Sequence, residues 1–169
     1  MKSLPIALLA LCTTSLSAQT GAVAGQGALY NVVKGYVTKA AEGMSEENYA
    51  FKPTPEVRSF GQLVGHVANA NYMICSMALG EKNPNASDFE KTTAKAALVQ
   101  AIKDSFTYCD KAYAISDAAG LEETTIFGMK TNKLGVLSFN SGHDMEHYGN
   151  MVTYYRLKGM VPPSSQRGM

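Results

Sequence analysis

The sequence predicts an all-α protein, a four-helix bundle, on three observations. Four stretches carry apolar residues at three- and four-residue steps, glycine and proline punctuate the links between them, and no segment of strand-like composition has an evident partner. At 169 residues the chain is sized for one domain with its own core, and 46% hydrophobic against 17% charged residues is a globular composition.

The first residues read as an address. Lys2, the apolar run from Ile6 to Leu11 and the small residues Ser15-Leu16-Ser17-Ala18 predict a signal peptide over residues 1–18, and so a periplasmic or secreted protein. Leu11 before Cys12 argues against a lipid anchor, which wants a small residue there. Removing the leader takes away one base, leaving 15 − 1 = 14 basic against 14 acidic residues. A chain near zero charge with no basic stripe is not expected to bind nucleic acid, and no later run is long and apolar enough to span a membrane.

The bundle is expected over residues 24–164. Leu29, Val33, Tyr36, Val37 and Ala40 mark a first helix from Ala28 to Met44, after which Pro53 and Pro55 turn the chain. Ser59 followed by Gln62 is a capping-box start for a second helix, whose apolar face of Phe60, Leu63, Val67, Ala70, Ile74 and Met77 runs up to Gly80. Leu98, Ile102, Phe106 and Cys109 place a third helix from Thr92 to Ser116. Residues 121–130 are read as a crossover loop. A fourth helix is expected from Asn132 to Lys158, stopped by Gly159 and Pro162-Pro163, with a flexible tail over 165–169. Gly135, Gly142 and Gly149 recur every seven residues on one face of that helix, a pattern that predicts close approach of a neighbouring helix.

Two cysteines, Cys75 and Cys109, remain after the leader, and an even pair in an oxidising compartment predicts a disulfide. The chain holds three histidines, His66, His143 and His147. The last two are four apart on a helix, so both leave one face, and His66 borders the apolar stripe of the second helix. Spacing leaves two readings open: core imidazoles hydrogen-bonded to neighbours, or ligands of one divalent ion. Three neutral imidazoles suit zinc, nickel or ferrous iron, with copper also compatible. Cys75, nine residues from His66, lies half a turn round the helix and is not expected to join them. Asn69, Asn140, Asn150, Met151 and Tyr154 sit at helical offsets that could line the pocket, while Asp144 and Glu146 are read mainly as solvated charge on other faces. His143-Asp144-Met145-Glu146-His147 departs from the zinc-protease H-E-x-x-H at its acid, so proteolysis is not expected, and no nucleotide-binding or serine-hydrolase motif is present.

The run Asn48-Tyr49-Ala50-Phe51-Lys52-Pro53, leading through Ser59-Phe60-Gly61-Gln62-Leu63-Val64-Gly65-His66, resembles the entry to the second helix of DinB-like proteins. Gly142-His143-Asp144-Met145-Glu146-His147-Tyr148-Gly149-Asn150, with the Gly159 to Pro163 exit, is similar to that family's fourth helix. The resemblance spans most of the chain from Ala28 to Ser164. It implies a four-helix bundle, often a homodimer, in which three histidines matching His66, His143 and His147 hold one divalent metal. Some members are metal-dependent thiol transferases or isomerases and others are described as hydrolases, so a small-molecule substrate is the implied partner. An exported member would not meet cytoplasmic thiol cofactors.

Overall fold

The computed structural model describes residues 21–166. The signal peptide expected over 1–18 and the last three residues of the expected tail lie outside them. Four long helices build the described residues: α1 (Ala22–Gly43), α2 (Phe60–Leu79), α3 (Lys95–Ala112) and, after a single turn α4 (Asp117–Gly120), α5 (Lys133–Leu157). Helix α2 is central, packing on α3 and α5, and α1 closes the bundle chiefly against α5. The core is filled by large side chains from all four, among them Tyr30, Phe60, Ile74, Leu98, Phe106, Leu137 and Met151.

Local chemistry explains most boundaries. The Ser59 hydroxyl accepts from Gln62 N–H at 3.2 Å and the Gln62 side chain accepts from Ser59 N–H at 2.9 Å, a complete capping box that starts α2. Gly80 ends it with φ 70°, a left-handed position that glycine takes without a Cβ clash. Asn132 caps α5 by accepting from Gly135 N–H at 2.8 Å. Helix α1 starts six residues earlier than the apolar pattern indicates because its cap comes from elsewhere: the Asp117 carboxylate accepts from Ala22 N–H at 3.1 Å and from Val23 N–H at 2.9 Å. At its other end Tyr155 donates to the Ala40 carbonyl at 2.7 Å, and Tyr49 donates to that of Ala41. The third helix is shorter than expected, and Ser116 instead caps α4 by accepting from Ala119 N–H at 3.2 Å.

Residues 121–130 are not a plain loop. Strand β1 (Glu123–Ile126) pairs antiparallel with β2 (Met129–Asn132), Glu123 opposite Asn132 and Ile126 opposite Met129. The turn between them has positive φ at both Phe127 (48°) and Gly128 (79°), as a two-residue hairpin needs. Neither the polar Met129-Lys130-Thr131-Asn132 nor a phenylalanine at a left-handed position advertises a hairpin. Burial of Ile126 and contact of β1 with α2 and α5 supply what local propensity lacks.

The glycine stripe of α5 has a different meaning from the one its spacing suggests. A Cβ added at Gly142 or Gly149 would meet nothing within 4 Å, and at Gly135 it would strike Thr131 of the preceding strand. No helix of the described bundle approaches there. At the far end Pro163–Ser165 forms a 3-10 turn, and Ser164 N–H donates to the Tyr148 hydroxyl at 2.8 Å. Cys75 and Cys109 form a disulfide joining α2 to α3.

Candidate metal centre

His66 leaves α2 beside the buried Leu63 and Val67, at the edge of that helix's apolar face. His143 and His147 leave α5 one turn apart, His147 buried and His143 nearly so. Their Nε2 atoms converge: His143 lies 3.3 Å from His66 and 3.0 Å from His147. The rings meet edge-on, with centroids 4.3 Å apart at 81° for His143 and His147 and 4.7 Å apart at 86° for His66 and His147. Three nitrogens therefore approach one point from different directions, which a stack of core imidazoles does not do.

For His66 the outer nitrogen decides which tautomer the ring adopts. His66 Nδ1 lies 2.8 Å from Glu90 Oε1, so it carries the proton, donates to the carboxylate and leaves an Nε2 lone pair facing inward. Glu90 is itself gripped by Arg58, whose Nε donates at 2.8 Å and whose Nη2 donates at 3.4 Å. His147 Nδ1 is 3.4 Å from the Asn150 amide. His143 Nδ1 is buried and finds no hydrogen bond, although the Asp144 carboxylate waits 3.9 Å away. At that distance the contact is electrostatic only.

Electrostatics favour the neutral form of His147 and His66. Burial pushes the His147 imidazole down to about 4, with His143, His66 and Arg58 adding to the effect and Glu90 opposing it. His66 is lowered as well, by burial first, against the raising influence of its Glu90 hydrogen bond. Burial alone would raise the Glu90 carboxyl, but hydrogen bonds from Arg58 and His66 hold it below the usual range. A borderline divalent cation takes neutral imidazole nitrogens, and three converging Nε2 atoms fit zinc, nickel or ferrous iron.

The strap that carries Glu90 explains a glycine. The 3-10 turn Phe89–Lys91 lies directly on α2 at Gly65, where a Cβ would land on the Phe89 carbonyl and within 2.9 Å of Glu90 N. Asn69 fastens the same strap, its Oδ1 accepting from Phe89 N–H at 3.2 Å and its Nδ2 donating to Asp88 at 3.1 Å. Gly65→Ala is therefore expected to lift the strap, separate Glu90 from His66 and weaken metal binding toward the roughly 10–100-fold loss typical of a missing outer-shell partner. A competition titration against a chromophoric chelator reads this directly.

A cavity of about 700 Å³ opens beside the triad, lined by Arg58, Leu63, Glu90, His147, Asn150 and Tyr154 among others. Tyr154 donates to the Arg58 carbonyl at 2.5 Å and so fixes the cavity's wall. Of the residues placed near the pocket by spacing, Asn150 and Tyr154 reach this cavity. Asn69 serves the strap, Met151 is packed in the core, and Asn140 is buried behind the site, beside the Asn71 amide and accepting from Tyr113 at 2.9 Å. Asp144 is not solvated charge: it is fully buried, and burial raises its carboxyl to about 6 against the opposing pull of His143. The Asn71 amide, turned nitrogen-first, donates to its two oxygens at 3.1 and 3.2 Å. Glu146, by contrast, is exposed. Glu90 and Arg58 have no signal in the sequence that ties them to His66, because the contact joins loops and a helix far apart along the chain.

A sequence profile of the DinB superfamily matches residues 32–151. The chain belongs to the DinB superfamily. A relative in Bacillus subtilis (strain 168), the uncharacterized protein YjoA, is 26% identical over 126 residues, 70% of this chain and 79% of that one. Among solved structures, a DinB-like protein from Bacillus cereus ATCC 10987 superposes with a TM-score of 0.73 at 17% identity, covering 82% of this chain and 94% of its own. The Bacillus subtilis YjoA structure gives a TM-score of 0.62 at 24% identity, with coverage of 85% and 99%. At these identities the structures support the DinB fold and nothing finer.

Proposed function

We propose that this DinB-superfamily chain is an exported metal-dependent enzyme, a hydrolase or transferase, with one divalent ion held by His66, His143 and His147. The observation that carries the reading is the convergence of three Nε2 atoms, one of them from His147, which also lines a cavity. When bound, a divalent ion there supplies Lewis-acid polarisation of a ligand oxygen or sulfur. The chain's own residues orient and select: Glu90 fixes the His66 tautomer, Asn150 faces His147, and Arg58 and Tyr154 shape the cavity that receives a small molecule. Export is supported by the leader pattern and by the Cys75 to Cys109 disulfide, which persists in oxidising compartments. Pairing as a homodimer is expected from the family.

A second reading, a non-catalytic metal or small-ligand binding protein, is favoured by one detail. The carboxylate nearest the triad, Glu90, is already committed to both Arg58 and His66 and is a poor general base. Elemental analysis of tag-free protein together with an ester, amide and thiol substrate panel separates the two. Turnover on any member supports the enzyme; a loaded protein inert to all of them supports binding alone; a protein free of metal after growth with added zinc, nickel and iron sinks the enzyme and the metal-binding form of the second reading.

Within either reading Glu90→Ala is expected to leave the fold intact and lower metal affinity by roughly 10–100-fold, because the His66 ring loses the acceptor that sets its tautomer. Calorimetric titration with zinc measures it, and an unchanged affinity would remove Glu90 from the site.

A further inference from the structure

Beside the triad lies the mixed cavity lined by Arg58, Leu63, Glu90, Asn150 and Tyr154, and His143 is approached separately by aromatic rings. Phe139 on α5, one turn before His143, stacks toward that imidazole with ring centroids 6.4 Å apart and planes 21° from parallel. Phe127, at the tip of the β1–β2 hairpin, closes edge-on against Phe139 at 5.6 Å. Both rings remain open to solvent, 54% exposed for Phe127 and 39% for Phe139, and Met129 beside the turn is 56% exposed. Two large rings left half in water on a small domain forgo burial that the core gives to Phe60 and Phe106.

The backbone adds a second, independent observation. Phe127 has φ 48°, a left-handed conformation that favours glycine or asparagine and that costs a bulky side chain of order 1 kcal/mol. A hairpin turn needs positive φ at this position but no ring there. The chain keeps an aromatic residue where the turn alone would take glycine, and directs it onto the ring that flanks a metal-site histidine.

We propose that Phe139 and Phe127 form an apolar subsite that takes the aromatic or bulky acyl portion of the small molecule whose polar end reaches the histidine triad. This rests on the reading of the triad as a metal centre. The ligand class is therefore an amphipathic small molecule, with an oxygen- or sulfur-bearing head at the histidines and a flat apolar body along the hairpin.

Two hydroxamates test it on the zinc-loaded, full mature chain: acetohydroxamate, which reports metal access alone, and benzohydroxamate, which adds a phenyl ring. Calorimetry is expected to show benzohydroxamate binding about tenfold tighter or more, the scale of burying and stacking one ring. Phe139→Ala should abolish that preference while leaving acetohydroxamate affinity unchanged. Phe127→Gly, which suits the left-handed turn and so preserves the hairpin, should reduce the preference and decides the matter if the first variant does not fold. Equal affinities in the wild type overturn the subsite, as does a preference that survives both substitutions; rings that merely pin the hairpin would change thermal stability and not the ratio. Failure of the chain to take up zinc, or of acetohydroxamate to bind it, overturns the metal reading itself and the subsite with it.

Discussion

Replacing His147 by alanine is expected to take the purified protein from about one metal ion per chain to essentially none, a loss well beyond the roughly 100-fold ceiling for an outer-shell partner. His147 is the most enclosed of the three rings, and it sits edge-on to both others. Removing it leaves two imidazoles and an open hole on the cavity side, too few protein donors for a stable tetrahedral site. Elemental analysis gives the stoichiometry, and thermal unfolding with and without added zinc gives the energetic counterpart. The wild type should gain stability with zinc by mass action, and His147→Ala should not. Retention of a full complement of metal in the variant would refute the three-histidine site. Loss of stability without any metal in the wild type would instead make the triad a hydrogen-bonded core cluster.

Breaking the Cys75 to Cys109 bridge is the second large effect. The two residues are 34 apart in sequence, and a loop of that length constrains the unfolded chain by about 3–4 kcal/mol in the chain-entropy account. Both sulfurs are wholly buried between α2 and α3, so the double alanine variant also loses packed volume. A shift of the chemical denaturation midpoint to lower denaturant is the expected result, with a steeper slope because the denatured chain without the bridge is more expanded. Because α2 carries His66, zinc affinity measured on the still-folded variant should change far less than stability does. An unchanged midpoint would mean that the two thiols are free in the mature protein.

The parts of this architecture that could be read from the sequence are those whose causes are local. Ser59 and Gln62 are three residues apart and cap α2 as their spacing indicates; Asn132 and Gly159 bracket α5 for the same reason. His143 and His147 share a face because four residues make about one turn. What stayed hidden depends on contacts across the chain. The start of α1 was invisible because its cap, Asp117, arrives from 95 residues away. Glu90 could not be paired with His66 because 24 residues and a loop separate them. Asp144 is buried where its spacing indicates solvated charge, because α5 is covered on two sides, by α1 and by α2, so a position beside the histidine face still points into protein, where Asn71 meets it. The hairpin escaped notice because its second strand is polar and its turn holds a phenylalanine.

The carboxylate of Asp117 acts as a clasp, and a clasp fixes an order of events. The amides of Ala22 and Val23 have no side-chain acceptor within their own segment, so the opening turn of α1 has little to hold it until α4 has docked. The paired groups stand 95 residues apart in a chain of 169, a long-range contact of the kind that slows folding. The same dependence runs in reverse: any disturbance that loosens α4 releases the leading edge of the molecule first, and fraying there leaves the histidine centre, built on α2 and α5, untouched.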